Sequence, residues 1–223
     1  MPLLIAVDGP VGAGKSTISD EVAKRLKILH LDTGAMYRAV GLKMLRTGVP
    51  LDDEAAVTAA CAGTNVSVRM EDGAQRTFLD GEDVSSAIRT QEAGQAASKV
   101  SRYAGVRRQM VALQRAVARE TSMLLDGRDI GTVVLQDAPV KIYLTASTQA
   151  RARRRFNQLL EKGETPCYED VLKEVAQRDA QDMSRKVDPL KKAPDAVTVD
   201  SSDLTFEETV QAILRLVEEK THG

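Results

Sequence analysis

Short apolar runs recur along the chain, and stretches with helical periodicity separate them. Five runs are typical of buried strands, at residues 3–7, 28–31, 123–125, 140–144 and 196–199. Strands that alternate with helices pair in parallel, because a parallel connection has to cross over the face of the sheet. The pattern therefore predicts an α/β fold with a parallel core sheet flanked by helices.

Four of these five strands run directly into polar or glycine-bearing segments. These segments are residues 8–9, 32–34, 126–129 and 200–201. In open parallel sheets, ligands bind outside the carboxyl ends of the strands. We therefore expect the functional site along this edge of the sheet.

One stretch departs from the strand-helix alternation. Val66, Val68 and Met70 alternate with polar residues, and turn signals follow at residues 71–73 and 80–81. This pattern predicts a small antiparallel insertion at residues 63–88 within one domain that spans residues 1–223. A helical region from about residue 89 to residue 120 returns the chain to the third core strand.

The first strand and the first helix are joined by a phosphate-binding loop motif. Residues 9–16 match the pattern G-x-x-x-x-G-K-[ST], with glycines that let backbone N–H groups turn toward a phosphate at the start of a helix. Lys15 is expected to reach the outer phosphates, and the Ser16 hydroxyl to join the shell of a Mg²⁺ ion. The predicted ATP-binding residues are Gly9, Pro10, Val11, Gly12, Ala13, Gly14, Lys15, Ser16 and Thr17.

Composition narrows the function classes further. The chain of 223 residues has 31 Lys and Arg against 32 Asp and Glu, so its net charge of −1 argues against a protein that coats nucleic acid or an anionic membrane. Cys61 and Cys167 lack the spacing of metal ligands, and the chain enters a strand with no room for a signal peptide. We therefore expect a cytoplasmic monomer with small-molecule substrates and with neither a nucleic-acid nor a membrane partner.

Three further segments carry the information about the second substrate. Residues 32–38 open a helix, and residues 126–131 place two carboxylates and an arginine after a buried strand. In the third segment Arg178, Asp182 and Arg185 are spaced i, i+4 and i+7, so we expect them on one stripe of a helix. His30 lies inside an apolar strand and is not expected to be catalytic.

Taken together, the strings GPVGAGKST, LDTGAMYR, LDGEDVSSAIRTQE, LDGRDIGTVV and APVKIYLTAS resemble the bacterial-type cytidylate kinases of the nucleoside monophosphate kinase family. The resemblance covers residues 3–217. It implies a P-loop kinase that transfers the γ-phosphoryl group of ATP to CMP or dCMP with Mg²⁺, giving ADP and CDP or dCDP. It also implies a five-stranded parallel core sheet, a substrate-binding role for the insertion, and a mobile helical lid.

The resemblance implies that residues from several parts of the chain bind the acceptor nucleotide. The monophosphate is expected at Tyr37, Arg38, Gly127 and Arg128. The cytosine edge is expected at Thr33, Ser98, Arg107 and Asp129. The sugar and its phosphate are expected to face Arg178, Asp182 and Arg185. Family members often have a hydroxyl residue in place of Val11 and serine in place of Thr33.

The lid is predicted at residues 151–170. Arg151, Arg154 and Arg155 share one helical face, which is expected to contact the phosphates, while Phe156, Leu159 and Leu160 form an apolar face. Arg153 is expected to be a solvent-exposed charge. The predicted catalytic residues are Lys15, Asp126, Arg128 and Arg154.

Some alternatives stay open at this point. Asp126 is predicted to bind Mg²⁺ together with Ser16, but a carboxylate after a strand also caps turns. Asp129 either accepts from the cytosine amino group or positions a phosphate. Other functions to weigh are a UMP/CMP or shikimate-like kinase and a nucleic-acid-stimulated ATPase, although the chain has no Trp and only three Phe for stacking on bases.

Overall fold

A computed structural model describes residues 2–71 and 73–222 of the chain. In chain order the elements are β1 (Leu4–Asp8), α1 (Lys15–Leu26), β2 (Leu29–Asp32), α2 (Thr33–Thr47), α3 (Glu54–Ala62), β3 (Val66–Glu71), β4 (Ala74–Leu79), β5 (Glu82–Asp83), α4 (Gln91–Val100), α5 (Ala104–Ala118), β6 (Met123–Gly127), β7 (Val140–Thr145), α6 (Thr148–Glu161), α7 (Tyr168–Ser184), β8 (Val197–Asp200) and α8 (Phe206–His222). A 3-10 turn lies at Ala87–Arg89, and a π-helical turn lies at Ile130–Val134.

The five predicted strands form one parallel sheet in the order β2-β6-β1-β7-β8. β1 lies at the centre, so the loop that follows it is flanked by the carboxyl ends of β6 and β7. The fold prediction is confirmed, and the register sets Asp8 opposite Gly127 and Asp32 opposite Asp126. All these polar strand ends therefore lie at one edge of the sheet.

Helices cover both faces of this sheet. On one face, Ile5, Val7 and Leu124 pack with residues of α1 and α8. On the other face, Leu31 and Leu125 pack with residues of α2 and α5 and with the insertion. Adjacent residues of one strand enter opposite cores, which explains why the strands have uninterrupted apolar runs.

The antiparallel insertion is also confirmed. β3, β4 and β5 form a separate three-stranded antiparallel sheet inside residues 63–88. Asp72, in the first predicted turn, lies outside the described residues, while Gly73 has a φ of +76°. In the second turn Asp80 and Gly81 have φ values of +52° and +90°, as hairpin turns with two left-handed residues require.

The helical region after the insertion consists of two helices rather than one. α4 ends at Val100 and α5 begins at Ala104, and the Tyr103 hydroxyl between them donates to the carbonyl of Leu51 at 2.8 Å. α2 packs closely on α4 at Gly41. A Cβ atom at this position would lie only 2.8 Å from the backbone nitrogen of Ala97, so the close packing requires glycine.

The segment predicted as a lid forms the helix pair α6 and α7. Leu159, Val171 and Val175 make a small apolar cluster between them, and Val11 of the phosphate-binding loop packs against it. Leu160 was expected in this apolar face, but its side chain is 48% exposed, so that expectation is wrong.

Arg153 is exposed to solvent, as predicted, and it also contacts two aromatic rings. Its guanidinium lies 4.3 Å from the ring centroid of Tyr168 and 5.9 Å from that of Phe156. This cation–π contact links α6 to the first residue of α7.

In the described part of the chain, no helix is both long and apolar enough to cross a membrane.

Candidate active site

The phosphate-binding loop joins the carboxyl end of β1 to the first turn of α1. Gly9, Gly12 and Gly14 have φ values of +155°, +76° and +84°, which residues with a side chain rarely adopt. At Gly9 there is also no space, because a Cβ atom would lie 1.9 Å from the carbonyl oxygen of Leu144. The glycines are therefore required for the tight strand-loop-helix connection in which backbone N–H groups bind phosphate.

Lys15 lies at the start of α1 and is 6% exposed. Its Nζ donates to the carbonyl oxygen of Pro10 at 2.8 Å. Burial and then the charge of Arg128 lower the pKa of Lys15 to about 7. A bound polyphosphate would favour the protonated form by its negative charge. Lys15 is thus a buried cation whose charge fits an anionic ligand.

Ser16 and Asp126 connect α1 with the carboxyl end of β6. The Ser16 hydroxyl donates to Oδ2 of Asp126 at 2.9 Å, which brings together two oxygen ligands of the kind Mg²⁺ prefers. Among residues 2–71 and 73–222, no group of three or more His, Cys, Asp and Glu side chains could hold a metal ion. The pair nevertheless fits Mg²⁺, which commonly takes one or two protein ligands and completes its shell with phosphates and water.

His30 contacts the same carboxylate, although it was not expected in the site. Its Nε2 lies 2.9 Å from Oδ1 of Asp126, and its Nδ1 lies 3.5 Å from Oδ1 of Asp20. Burial lowers the pKa of His30, but the hydrogen bond and charge of Asp126 outweigh burial and raise that pKa above its usual value. Burial raises the pKa of Asp126, but the hydrogen bond with His30 and the charges of His30 and Lys15 outweigh burial and hold this pKa below its usual value.

Arg151 connects α6 to the phosphate-binding loop and to α7. Its guanidinium donates to the carbonyl oxygens of Val11 at 2.9 Å and Ala146 at 2.8 Å. The same group forms an ion pair of 2.7 Å with Asp179 of α7. The side chain is 4% exposed, so most of its donors are occupied by the protein itself.

Arg154 and Arg155 differ in their surroundings. Arg154 donates to the Ser201 hydroxyl at 3.1 Å and to the Ser201 carbonyl, and a further contact of 3.5 Å reaches the carbonyl oxygen of Ala13. It therefore lies beside the loop, at the end of β8. Arg155 is half-buried and makes no hydrogen bond or ion pair with any described residue. Its predicted contact with phosphates stays a prediction.

In the predicted acceptor site, Asp182 lies between two arginines. Nε of Arg128 donates to Oδ2 of Asp182 at 2.8 Å, and Nε of Arg178 lies 3.6 Å from Oδ1. Burial raises the pKa of Asp182, but the charges of Arg128 and Arg178 outweigh burial and hold it below its usual range. Arg128 also affects the pKa of Lys15, so the acceptor residues and the phosphate-binding loop adjoin each other.

Arg107 and Asp129 form a second buried pair. Arg107 is 2% exposed, and its terminal NH2 group donates to Oδ2 of Asp129 in a very short ion pair. Arg185 approaches Oδ1 of Asp129 at 3.5 Å. The ring centroid of Tyr37 lies 5.6 Å from the guanidinium carbon of Arg107, and burial raises the pKa of Tyr37 to about 12.

The remaining predicted residues surround these pairs. The Thr33 hydroxyl donates to the carbonyl oxygen of Asp126 at 2.7 Å. Gly127 lies close to the same side chain, because a Cβ atom at Gly127 would be 2.9 Å from Oγ1 of Thr33. Arg38 forms an ion pair of 2.6 Å with Asp32, the N-cap of α2. Ser98 of α4 donates to Oε1 of Gln181 in α7 at 3.4 Å.

Arg185 does not lie on the predicted helical stripe. α7 ends at Ser184, and Arg185 has an extended backbone with φ −61° and ψ +142°. The chain turns back after this point, because Pro189 cannot continue a helix and the backbone nitrogen of Leu190 donates to the carbonyl of Asp182 at 2.8 Å. From this returning segment, Arg185 approaches Asp129 and the other residues predicted to bind the acceptor nucleotide.

Three buried donors in the acceptor group have no hydrogen-bond partner among the described residues. They are the hydroxyl of Tyr37, Nε of Arg178 and a terminal nitrogen of Arg185. The two arginine nitrogens lie 3.6 Å and 3.5 Å from carboxylate oxygens, in ion pairs without a hydrogen bond. Buried donors that make no hydrogen bond are rare, because they lose their hydration without full replacement. Three of them around one cluster of arginines and carboxylates are typical of a site for a polar, anionic ligand.

Sequence reasoning missed Asp8 as well as His30. The Asp8 carboxylate is 3% exposed and accepts hydrogen bonds from the backbone nitrogens of Ile130 and Gly131, both at 2.7 Å. It thereby anchors the segment directly after Arg128 and Asp129. A carboxylate at the end of a fully buried strand, one residue before the phosphate-binding loop, was the available signal.

Comparisons with known proteins place the chain in a family. The sequence model of the family described as cytidylate kinase matches residues 5–219. A cytidylate kinase of Caldicellulosiruptor saccharolyticus is 46% identical over 212 residues, which cover 95% of this chain and 94% of that protein. A cytidylate kinase of Bacillus licheniformis is 43% identical, with coverage of 98% and 97%.

Among solved structures, a gluconokinase from Sinorhizobium meliloti superposes with a TM-score of 0.51 at 14% identity, and the match covers 99% of this chain and 94% of that one. At that level of identity the likeness concerns the fold alone. The family match over nearly the whole chain is what classifies the sequence. The chain therefore belongs to the cytidylate kinase family.

Proposed function

We propose that this enzyme transfers the γ-phosphoryl group of ATP to CMP or dCMP, giving ADP and CDP or dCDP. Membership of the cytidylate kinase family and relatives of that name at 43–46% identity support this reaction. The structural observation that carries it is the set of three buried donors that make no hydrogen bond to a described residue, on Tyr37, Arg178 and Arg185, beside a phosphate-binding loop. A phosphorylated, hydroxyl-bearing acceptor supplies the oxygens that such donors need.

The chemistry that we propose is alignment and charge neutralisation. Phosphoryl transfer needs little covalent help, so holding two anionic substrates in line supplies much of the rate enhancement. Lys15 holds the outer phosphates of the donor, while Arg128 and Arg38 hold the acceptor monophosphate. Arg154 approaches from the lid side of the same edge. At about 4 Å and an effective dielectric constant near 20, one such charge pair is worth roughly 4 kcal/mol before desolvation.

Mg²⁺ would be held by Ser16 and Asp126, and when bound it neutralises charge on the phosphates. The 2.9 Å contact between the two side chains supports this assignment. His30 keeps Oδ1 of Asp126 in a fixed orientation, which leaves Oδ2 toward Ser16. A cytoplasmic location and a monomeric state complete the proposal.

Selection of cytosine is proposed for Thr33, Ser98, Arg107 and Asp129. Cytosine presents an amino donor where uracil presents a carbonyl, and its ring nitrogen is an acceptor where that of uracil is a donor. Two buried mispairs at about 1–3 kcal/mol each imply discrimination against UMP of roughly thirty-fold to ten-thousand-fold. The carboxylate of Asp129 suits the amino group and repels the carbonyl.

A panel of acceptors tests the proposal. ADP release from ATP is measured with CMP, dCMP, UMP, AMP, dTMP and shikimate, and the cytosine nucleotides are expected to have the highest kcat/KM. Lys15→Met serves as the inactive reference, because it removes the phosphate-binding cation. Its matched control is Lys24→Met, which changes an exposed lysine on the same helix. Equal or faster turnover of an acceptor without cytosine would contradict the proposed substrate.

A further inference from the structure

Arg107 is held between two carboxylates rather than one. Its Nε donates to Oδ2 of Asp188 at 2.7 Å, and its NH2 group donates to Oδ2 of Asp129. The remaining terminal nitrogen donates to the carbonyl oxygen of Ser101 at 3.2 Å. Asp188 comes from the segment after α7, so this ion pair joins two distant parts of the chain.

The backbone holds Asp188 in an unusual conformation. Its φ is +47°, in the left-handed region, and the next residue is Pro189. Non-glycine residues adopt this conformation in only a few per cent of cases, although aspartate and asparagine do so more often than most. Its carbonyl oxygen also accepts from Nε of Arg185 at 2.5 Å. The turn at Asp188 thus places its carboxylate on Arg107 and its carbonyl on Arg185.

This arrangement determines which oxygen of Asp129 is used. An arginine and a carboxylate often form two parallel hydrogen bonds, which occupy both oxygens of the carboxylate. Here Asp188 occupies the Nε edge of Arg107, so only one oxygen of Asp129 is bound. The other oxygen, Oδ1, accepts no hydrogen bond from any described residue, and Arg185 lies 3.5 Å from it.

We propose that Asp188 is a positioning residue that determines base selectivity. By engaging Nε of Arg107, it prevents a bidentate pair between Arg107 and Asp129 and leaves Oδ1 of Asp129 to accept from the amino group of cytosine. The inference rests on the proposed function, because it assumes a cytosine acceptor. It adds a residue outside the set that contacts the base.

The surroundings of Asp188 allow a clean substitution. The Asp188 side chain is 27% exposed and faces an open pocket of about 280 Å³ that is lined in part by Arg107 and Val187, so Asp188 is not part of the apolar core. Asp188→Asn removes the charge at the same size, and asparagine tolerates the left-handed backbone. Asp188→Gly removes the carboxylate and relieves the backbone. Asp195→Asn is the matched control, because it breaks an ion pair of 2.7 Å with Lys141 away from the acceptor residues.

Steady-state kinetics with CMP, UMP and ATP provide the test, with thermal unfolding of each variant as a check on folding. In both Asp188 variants the KM for CMP is expected to rise about tenfold, which corresponds to roughly 1.4 kcal/mol, and the KM for ATP is expected to stay unchanged. The ratio of kcat/KM for CMP over that for UMP should fall by a similar factor. Asp195→Asn should leave all three values unchanged.

A merely structural role would raise the KM values for CMP and UMP by the same factor, and that result would overturn the inference. An unchanged KM for CMP in both Asp188 variants would overturn it as well. In either case wild-type turnover of CMP leaves the proposed function standing. Wild-type enzyme that prefers an acceptor without cytosine contradicts the proposed function itself.

Discussion

At the scale of single residues, buried charge is concentrated along the carboxyl edge of the sheet. Asp8, Lys15, Asp126 and Asp182 are each less than a tenth exposed. Each of them contacts a backbone group or an opposite charge, which offsets part of the cost of burial. Burying these charges costs free energy, but charged side chains in a water-poor cleft interact more strongly with a charged substrate.

Asp8 gives a prediction about pH. Burial raises its pKa to about 6, although the backbone N–H groups of Gly131 and Ile130 act in the opposite direction. A pKa that is higher in the folded state than the value of 3.8 in the unfolded state favours folding below about pH 4, and this contribution is lost as the pH rises through about 6. We therefore expect the free energy of unfolding of the wild type, minus that of Asp8→Asn, to fall by about 3 kcal/mol between about pH 4 and pH 7.

Urea unfolding of both proteins at several pH values measures this difference. The groups that do not interact with Asp8 cancel in the subtraction, so the slope reports Asp8 together with its electrostatic coupling to Lys15. A difference that does not vary with pH would show that Asp8 titrates alike in the folded and unfolded states.

At the scale of elements, the insertion is fastened to the acceptor edge by one side chain. Gln75 of β4 accepts from the backbone nitrogen of Asp32 at 2.7 Å, and its amide nitrogen donates to the carbonyl oxygen of Asp32 at 3.3 Å. Asp32 caps α2 by accepting from the backbone nitrogen of Ala35, and it pairs with Arg38. The insertion therefore supports the segment that presents the predicted phosphate-binding residues.

Gln75→Ala should weaken acceptor binding without affecting the donor. Loss of two hydrogen bonds to Asp32 costs about 1–2 kcal/mol, so the KM for CMP is expected to rise roughly five- to thirty-fold, while the KM for ATP changes little. Gln136→Ala is a suitable control, since Gln136 is exposed and donates only to the nearby carbonyl of Thr132. Equal changes in both KM values would contradict a specific link between the insertion and the acceptor edge.

At the scale of the whole molecule, the insertion and the core sheet share one hydrophobic cluster. Val66 and Leu79 of the insertion pack in the same cluster as Leu31 and Leu125 of the sheet. The helix pair α6 and α7 has an apolar cluster of its own, but Val11 of the phosphate-binding loop packs against that cluster. Elements that share a core unfold together, so the chain is expected to behave as one cooperative unit.

Calorimetry without and with CMP tests both the cooperativity of unfolding and the binding of CMP. We expect one unfolding transition, and CMP at about 100 times its Kd should stabilise the folded state by about 2.7 kcal/mol, which raises the Tm by about 5–11 °C. Shikimate should cause no shift. Two separate transitions would instead identify the lid or the insertion as an independently folding unit.

The sequence by itself determined the elements and the donor loop. The core strands were predicted from uninterrupted apolar runs, and the phosphate-binding loop from its glycines and the G-x-x-x-x-G-K-[ST] spacing. Both signals depend only on the order of neighbouring residues. The polar ends of the strands also indicated which edge of the sheet carries the site. The predicted acceptor residues, carried over from a family resemblance, lie close together at this edge, and their roles stay predictions.

Only the tertiary structure decided which side chains meet across the fold. Asp188 pairs with Arg107 over 81 positions, and His30 contacts Asp126 over 96. α7 ends before Arg185, and the exposed Arg153 stacks on Tyr168. Local patterns contain no information on such pairs, because their partners are brought together only by the packing of helices and strands. The chemistry of the site was thus encoded locally, and its geometry was fixed by burial and long-range contacts.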